Sequence, residues 1–140
     1  MHTRLATVHD VSRLVHIFLQ FYAADGRPVD DAVPLAAFCL EHIGAPDKIC
    51  LVAGEPIGAF LTGIVQPHYH TGIMTAFKTV WLSAPGKSGH GAGLIRPFEE
   101  WARARGAKRI VFSGRNERTL RLLRIKGYKP LETACDKELA

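Results

Sequence analysis

The part of this 140-residue chain that most restricts its folding lies between residues 76 and 106. Phe77-Lys78-Thr79-Val80-Trp81-Leu82 is dense in β-branched and aromatic residues, which predicts a strand over residues 76–83 that must stop at Pro85. Four glycines then crowd into Gly86-Lys87-Ser88-Gly89-His90-Gly91-Ala92-Gly93, and Leu94, Ile95, Phe98, Trp101 and Ala102 recur at helical spacing up to Gly106. A strand running through a glycine-rich turn into a helix aims unpaired backbone N–H groups and a positive helix end at one place, which suits an anion. Glycine leaves out the side chains that would hold a phosphate away from that backbone.

Two common phosphate-binding patterns fail on this stretch. In a Walker loop, Gly86-Lys87-Ser88 would require its first glycine at position 81, which is Trp81 inside the strand. A dinucleotide fingerprint needs a preceding βαβ unit, whereas the segments ahead of the loop read as hairpins.

The rest of the chain reads as one alternating α and β unit, without repeats or linkers. A short strand at residues 5–8 precedes a helix carrying Val11, Leu14, Val15, Phe18, Leu19 and Tyr22 on one stripe. Gly26-Arg27-Pro28 interrupts it, and a second amphipathic helix runs from Val33 to Ile43. Strands at residues 49–53 and 57–66 flank the turn at Gly54-Glu55-Pro56. A buried strand at residues 109–113, a helix capped by Asn116 and a last strand at residues 131–136 complete the order β-α-α-β-β-β-α-β-α-β. The fold class is α/β, with a mixed, mostly antiparallel sheet flanked by helices.

Composition narrows the function classes. With 47% hydrophobic and 22% charged residues the chain has the balance of a globular domain rather than a disordered one. No apolar run reaches the ~20 residues of a membrane-spanning helix. The first residues mix charge with apolar groups, so a soluble, cytoplasmic protein is the expectation. Cys39, Cys50 and Cys135 form no C-x-x-C pair, which argues against a disulfide framework or a zinc site and for reduced thiols. Residues 96–129 hold eleven Lys/Arg against three Asp/Glu, a basic block that would draw a phosphorylated ligand or a nucleic acid.

The segment WLSAPGKSGHGAGLIRPFEEWARARGAKRIVF resembles the signature of the GNAT (GCN5-related) N-acetyltransferases, a strand followed by Q/R-x-x-G-x-G/A and a helix, with Gly89 and Gly91 on the two glycine positions. The resemblance continues from Asn116 to Gly127-Tyr128 and in the order of elements. It implies that backbone amides of Gly86, Lys87, Ser88, Gly89, His90, Gly91 and Ala92 hold the pyrophosphate of acetyl-CoA. It implies too that Leu82 and Ser83 pair through their backbones with the pantetheine arm, that Ala84 belongs to the same coenzyme-binding stretch, and that Asn116 lies beside a slot where two strands splay. The implied reaction is acetyl transfer to a primary amine by direct attack in a ternary complex, acetyl-CoA being a co-substrate.

The chain departs from that pattern at two positions. Gly86 stands where the family usually has Arg or Gln, leaving Lys87 as the nearby cation. Leu123 stands where the family often carries a tyrosine that protonates the leaving thiolate. His68 and His70, at the end of a predicted hairpin with Tyr69 between them, are the candidate acid and base because imidazole titrates near neutrality. They share one side of an extended segment, but no third metal ligand accompanies them. Lys78 suits a base only if burial lowers its pKa. Asp25, Asp30 and Asp31, between the first two helices, form an acidic stretch that would attract a cationic amine.

Three functional classes fit these residues. The first is an N-acetyltransferase. The second is a degenerate relative that binds acyl-CoA as a sensor or serves as an interaction module. The third is a basic nucleic-acid-binding domain, for which Arg115, Arg118, Arg121 and Arg124 would track a backbone, although no aromatic residues interleave with them. A homodimer built on the edge of the last strand is a further expectation.

Overall fold

The computed structural model describes residues 2–139. Five strands form one sheet in the spatial order β1 (Thr3–Leu5), β2 (Lys48–Ala53), β3 (Ala59–Pro67), β4 (Met74–Ser83) and β5 (Arg109–Val111). Neighbours are antiparallel except β4 and β5, which are parallel. Helices α1 (Val11–Ala24) and α2 (Val33–Glu41) lead from β1 to β2, α3 (Ser88–Ala92) and α4 (Ile95–Ala104) from β4 to β5, and α5 (Glu117–Ile125) follows β5. No helix among the described residues is long and apolar enough to cross a membrane.

Period-two alternation sorts the side chains of the sheet into two cores. Cys50 and Val52 of β2 with Phe60 of β3 pack beneath Leu14, Ile17 and Phe18 of α1 and Cys39 of α2. Ile49, Leu51 and Ala53 of β2 with Ala59, Leu61 and Val65 of β3 pack on the other face against Leu94, Phe98 and Ala102. Covering both faces is why β2 reads as an unbroken apolar run. Phe60 and Phe98 are fully buried on opposite sides. A Cβ at Gly63 would run into the Phe98 ring, so glycine is what lets α4 lie close to β3.

Several boundaries differ from those the sequence predicts, and the strand expected to be buried over residues 109–113 is only Arg109–Val111, exposed at Arg109 and half-buried at Ile110 and Val111. The first strand is Thr3–Leu5 rather than residues 5–8, because Val8–Asp10 winds into a 3-10 turn. That turn is held by the Thr7 amide donating to Asp10 Oδ2 at 2.8 Å and by Arg4, which donates to both Asp10 oxygens at 2.7 and 3.0 Å. The expected glycine loop is partly helical, since residues 88–92 close one short helix before α4 begins. The expected last strand at residues 131–136 is absent: this segment has no regular secondary structure and is exposed throughout. Pro130 donates no ladder hydrogen bond, and Glu132, Asp136, Lys137 and Glu138 give this stretch almost nothing to bury. The sheet edge on which a dimer was expected is therefore missing.

Cys39 and Cys50 lie in the first core, where burial pushes their thiols up to about 11 and about 12, while Cys135 is exposed. The thiolate is the reactive form. At pH 8 the native chain should give one fast thiol with Ellman's reagent, that of Cys135, and three after unfolding in guanidinium. A Cys135→Ser variant should give none while folded.

Candidate active-site cleft

β4 and β5 pair over only three residues, Thr75 with Arg109, Ala76 with Ile110 and Phe77 with Val111. Beyond that point β5 ends and the chain turns through Phe112 to Asn116 into α5, while β4 continues for six more residues to Ser83. The strands part, and a cleft of about 1460 Å³ opens between them. Lys78 to Leu82 form one wall, Phe112 to Arg115 with Leu120 and Leu123 the other, and Phe21 and Tyr22 of α1 close one side. Residues 128–134 run along the same cleft in place of the expected strand. The edge of β4 beyond Phe77 has no strand partner among the described residues, so its backbone groups are available to a ligand that lies along it.

A bulge coincides with the parting of the strands. Thr62 pairs with Val80 and Gly63 with Lys78, which leaves Thr79 opposite no residue of β3. Thr79 is exposed to the cleft, and its hydroxyl oxygen lies 2.7 Å from Thr62 Oγ1 and 3.1 Å from Nε2 of His42. His42 is 4% exposed, and its Nδ1 lies 2.9 Å from the carbonyl oxygen of Phe38. Burial lowers the pKa of His42 below its ordinary value, outweighing the Phe38 carbonyl and the carboxylates Glu41 and Asp47, while Lys48 acts with burial. Lys78, also on the cleft, has its pKa lowered by burial and then by Arg115.

The glycine loop begins beyond the end of the cleft. Its exposed turn carries the amides of Gly86, Ser88 and Gly89, for which no partner occurs among the described residues, while the Lys87 and His90 amides donate locally to the carbonyls of Ala84 and Lys87. Gly86 has φ 76°, a left-handed conformation that favours glycine. A Cβ at Gly89 would meet open space, so that position admits a bound anion. Gly91 is different. It is buried, its carbonyl accepts from Trp81 Nε1 at 2.9 Å, and a Cβ there would fall 2.5 Å from Ser83 Oγ. Packing of α3 on β4 thus favours glycine at position 91.

The other residues singled out from sequence divide clearly. Leu82 lines the end of the cleft, whereas the Ala84 amide is already committed to Gly58 O at 2.7 Å. The Lys87 stem and the His90 ring lean over Gly58 and Gly54 of the β2–β3 turn. Asn116 caps α5, its Oδ1 accepting from the Thr119 amide at 2.9 Å, and its neighbours Arg115 and Glu117 line the cleft. Leu123 is buried. Tyr128 donates to Glu99 Oε2 at 2.8 Å, and burial followed by that carboxylate raises its pKa.

His68 and His70 are not brought to the cleft wall. They occupy the β3–β4 turn at the start of β4, where His68 Nδ1 accepts from the His70 amide at 3.1 Å and its ring stacks on Tyr69 and Phe77. The glycine loop lies at the far end of β4, about 30 Å along the strand at ~3.3 Å per residue. Asp25 is engaged by Arg27 at 2.7 Å and Arg115 at 3.5 Å, and Asp31 Oδ1 accepts from the Val33 amide at the start of α2. The acidic stretch is therefore occupied with internal partners at two of its three carboxylates. Arg115 also lies over the Phe21 ring, its guanidinium carbon 4.5 Å from the centroid.

Solved structures place this architecture. The chain is similar to a transcriptional regulator from Bacillus halodurans C-125, with TM-score 0.80 and 20% identity over 99% of both chains. An acetyltransferase from Trypanosoma brucei matches with TM-score 0.72 and 19% identity, again over 99% of both chains. An aminoglycoside acetyltransferase from an uncultured soil metagenomic sample, in complex with sisomicin, matches with TM-score 0.70 and 14% identity, over 99% of this chain and 95% of the other. The fold is that of the GNAT acetyltransferases. No family model matches the sequence, and no curated protein sequence does.

The two loop glycines should separate in stability measurements. Gly91→Ala should destabilise the protein by roughly 1–3 kcal/mol through overpacking against Ser83. Gly89→Ala should leave stability unchanged or raise it by up to ~1 kcal/mol, because alanine favours the helix. Urea unfolding of both variants checks this.

Proposed function

We propose that this chain is an N-acetyltransferase that moves an acetyl group from acetyl-CoA to a primary amine by direct attack in a ternary complex. The observation that carries the reading is the continuity of the unpaired β4 edge, Lys78 to Ser83, with the exposed amides of Gly86, Ser88 and Gly89. An extended amide-bearing arm can pair with such an edge as an added strand would, and a pyrophosphate can take the free N–H groups at its end. The two features occur in the order in which a coenzyme of that shape presents them. Arg115 and Arg124 on the opposite wall add positive charge along the same cleft.

The acceptor enters where the strands part. Phe21, Tyr22 and Phe112 make that end of the cleft aromatic, and a structural neighbour, an aminoglycoside acetyltransferase, holds sisomicin in the same fold. A neutral amine nitrogen forms its bond to the thioester carbon, the C–S bond breaks, and sulfur leaves as thiolate. Holding both reactants in one slot supplies most of the rate through orientation. With Leu123 buried at the usual tyrosine position, the leaving thiolate takes its proton from solvent.

That same Leu123 favours a second reading, an acyl-CoA sensor without turnover. Calorimetric titration with acetyl-CoA and with CoA, together with a thiol-release assay over an amine panel, separates the two. The native chain should bind both ligands, Gly89→Asp should fold normally and weaken binding at least tenfold, and amines should release CoA. Binding without release by any amine supports the sensor. Failure to bind at millimolar coenzyme overturns both.

A further inference from the structure

Resting on the N-acetyltransferase reading, we propose that His42, acting through the Thr79 hydroxyl, takes the proton that the acceptor amine sheds. The proton pattern follows from the contacts. A ring nitrogen 2.9 Å from a carbonyl oxygen must carry hydrogen, so Nδ1–H of His42 donates to Phe38 O. Nε2 is then an acceptor, and Thr79 O–H, 3.1 Å away, donates to it. With its own hydrogen so placed, Thr79 Oγ1 accepts from Thr62 O–H at 2.7 Å. Every member of this chain is satisfied while histidine is neutral.

The chain also remains satisfied once histidine is protonated. Nε2–H would then donate to Thr79 Oγ1, while Nδ1–H keeps its bond to Phe38. As the amine nitrogen bonds to the thioester carbon, its proton passes to Thr79 Oγ1 and the hydroxyl's own proton passes to His42 Nε2. The hydroxyl is regenerated, one proton has moved to the imidazole, and the thiolate has left. The imidazolium returns its proton to solvent through Thr79. Thr79 is the bulged residue at the point where β4 leaves β5, so its hydroxyl reaches the cleft while the ring behind it stays dry.

The charged groups acting on His42 are Glu41 at the end of α2, Asp47 before β2 and Lys48 at its start. Burial outweighs them and keeps the ring neutral, hence able to accept, at neutral pH. Lys78, next to Thr79 on β4, is the competing base. Since the ring acts through Thr79, His42 is a positioning and proton-holding residue, and Thr79 is the residue that meets the substrate.

The test uses His42→Gln, whose amide can donate to Phe38 O and accept from Thr79 but cannot take a proton. CoA release is followed from pH 5 to 8 with aniline, neutral over most of that range, or with water alone as nucleophile, beside calorimetry with acetyl-CoA and thermal melts. The native chain should show an acid limb in kcat/KM with an apparent pKa below 6.5. His42→Gln should bind acetyl-CoA as the native chain does, melt within a few degrees of it, lose about 100-fold in kcat/KM and lose that limb. Thr79→Val should behave likewise, Thr79→Ser should restore activity, and Lys78→Met should keep the limb. Nitrogen-15 shifts of the His42 ring should report the Nδ1–H tautomer.

An Nε2–H tautomer, or unchanged kcat/KM and pH profile in His42→Gln, overturns the relay while leaving the acetyltransferase reading intact. Absence of acetyl-CoA binding or of any CoA release by the native chain overturns the transferase reading itself, and the relay with it.

Discussion

The site depends on one two-against-one pairing in the sheet. Thr62 and Gly63 of β3 face Val80 and Lys78 of β4, and Thr79 is left over. A bulge adds twist and bends the strand that carries the extra residue. Here it falls two residues beyond Phe77, where the ladder between β4 and β5 stops. Without it, period-two alternation would continue through Thr79 and reverse the faces of Val80, Trp81 and Leu82. Val80 and Leu82 pack on the α1 side, and Trp81 packs on the α4 side with its indole on Gly91. The bulge therefore fixes the cleft, the core beneath it and the seat of α3 together.

Gly63 makes the neighbouring geometry possible. It sits in the bulged pair and gives the Phe98 ring room against the sheet, so α4 starts close behind the end of β4. Trp81 and Ser83 then hold Gly91 from below. Shape complementarity at these small residues costs little in area, yet a carbon added at Gly63 would have to displace the Phe98 ring, and one added at Gly91 would have to turn the Ser83 hydroxyl aside. The exposed half of the loop carries none of these constraints, which is where free amides can persist for a ligand. One short turn is thus rigid on its inner side and open on its outer side.

Much of this was legible in the sequence, for physical reasons that can be named. The unbroken apolar run of β2, the amphipathic stripe of α1 and the Asn116 cap each report burial or backbone bonding that acts within a few residues. The strand, glycine turn and helix from Met74 to Ala104 belong to the same class of local signal. The last strand was not legible. A strand needs a partner, and the segment 131–136 has none, because β5 is only three residues long. The 3-10 turn at Val8–Asp10 was hidden similarly, since β-branched Val8 favours a strand until Arg4 and Thr7 close on Asp10.

The candidate site divides along the same line. Exposed amides at Gly86, Ser88 and Gly89 follow from glycine content and a strand end, so the sequence pointed at them. His68 and His70 drew notice because paired imidazoles look chemical, but one ring's Nδ1 instead organises the turn. His42 drew none, since a histidine at the end of an apolar helix carries no local sign of its role. Its partner Thr79 lies 37 positions away and is bonded in turn to Thr62, and Thr79 is left over for that role only because the register slips by one residue. A relay assembled by a register slip has no linear signature. Its warrant is that a buried ring, dry and neutral, stands behind the one hydroxyl that the bulge turns into the cleft, where an amine must lose a proton to react.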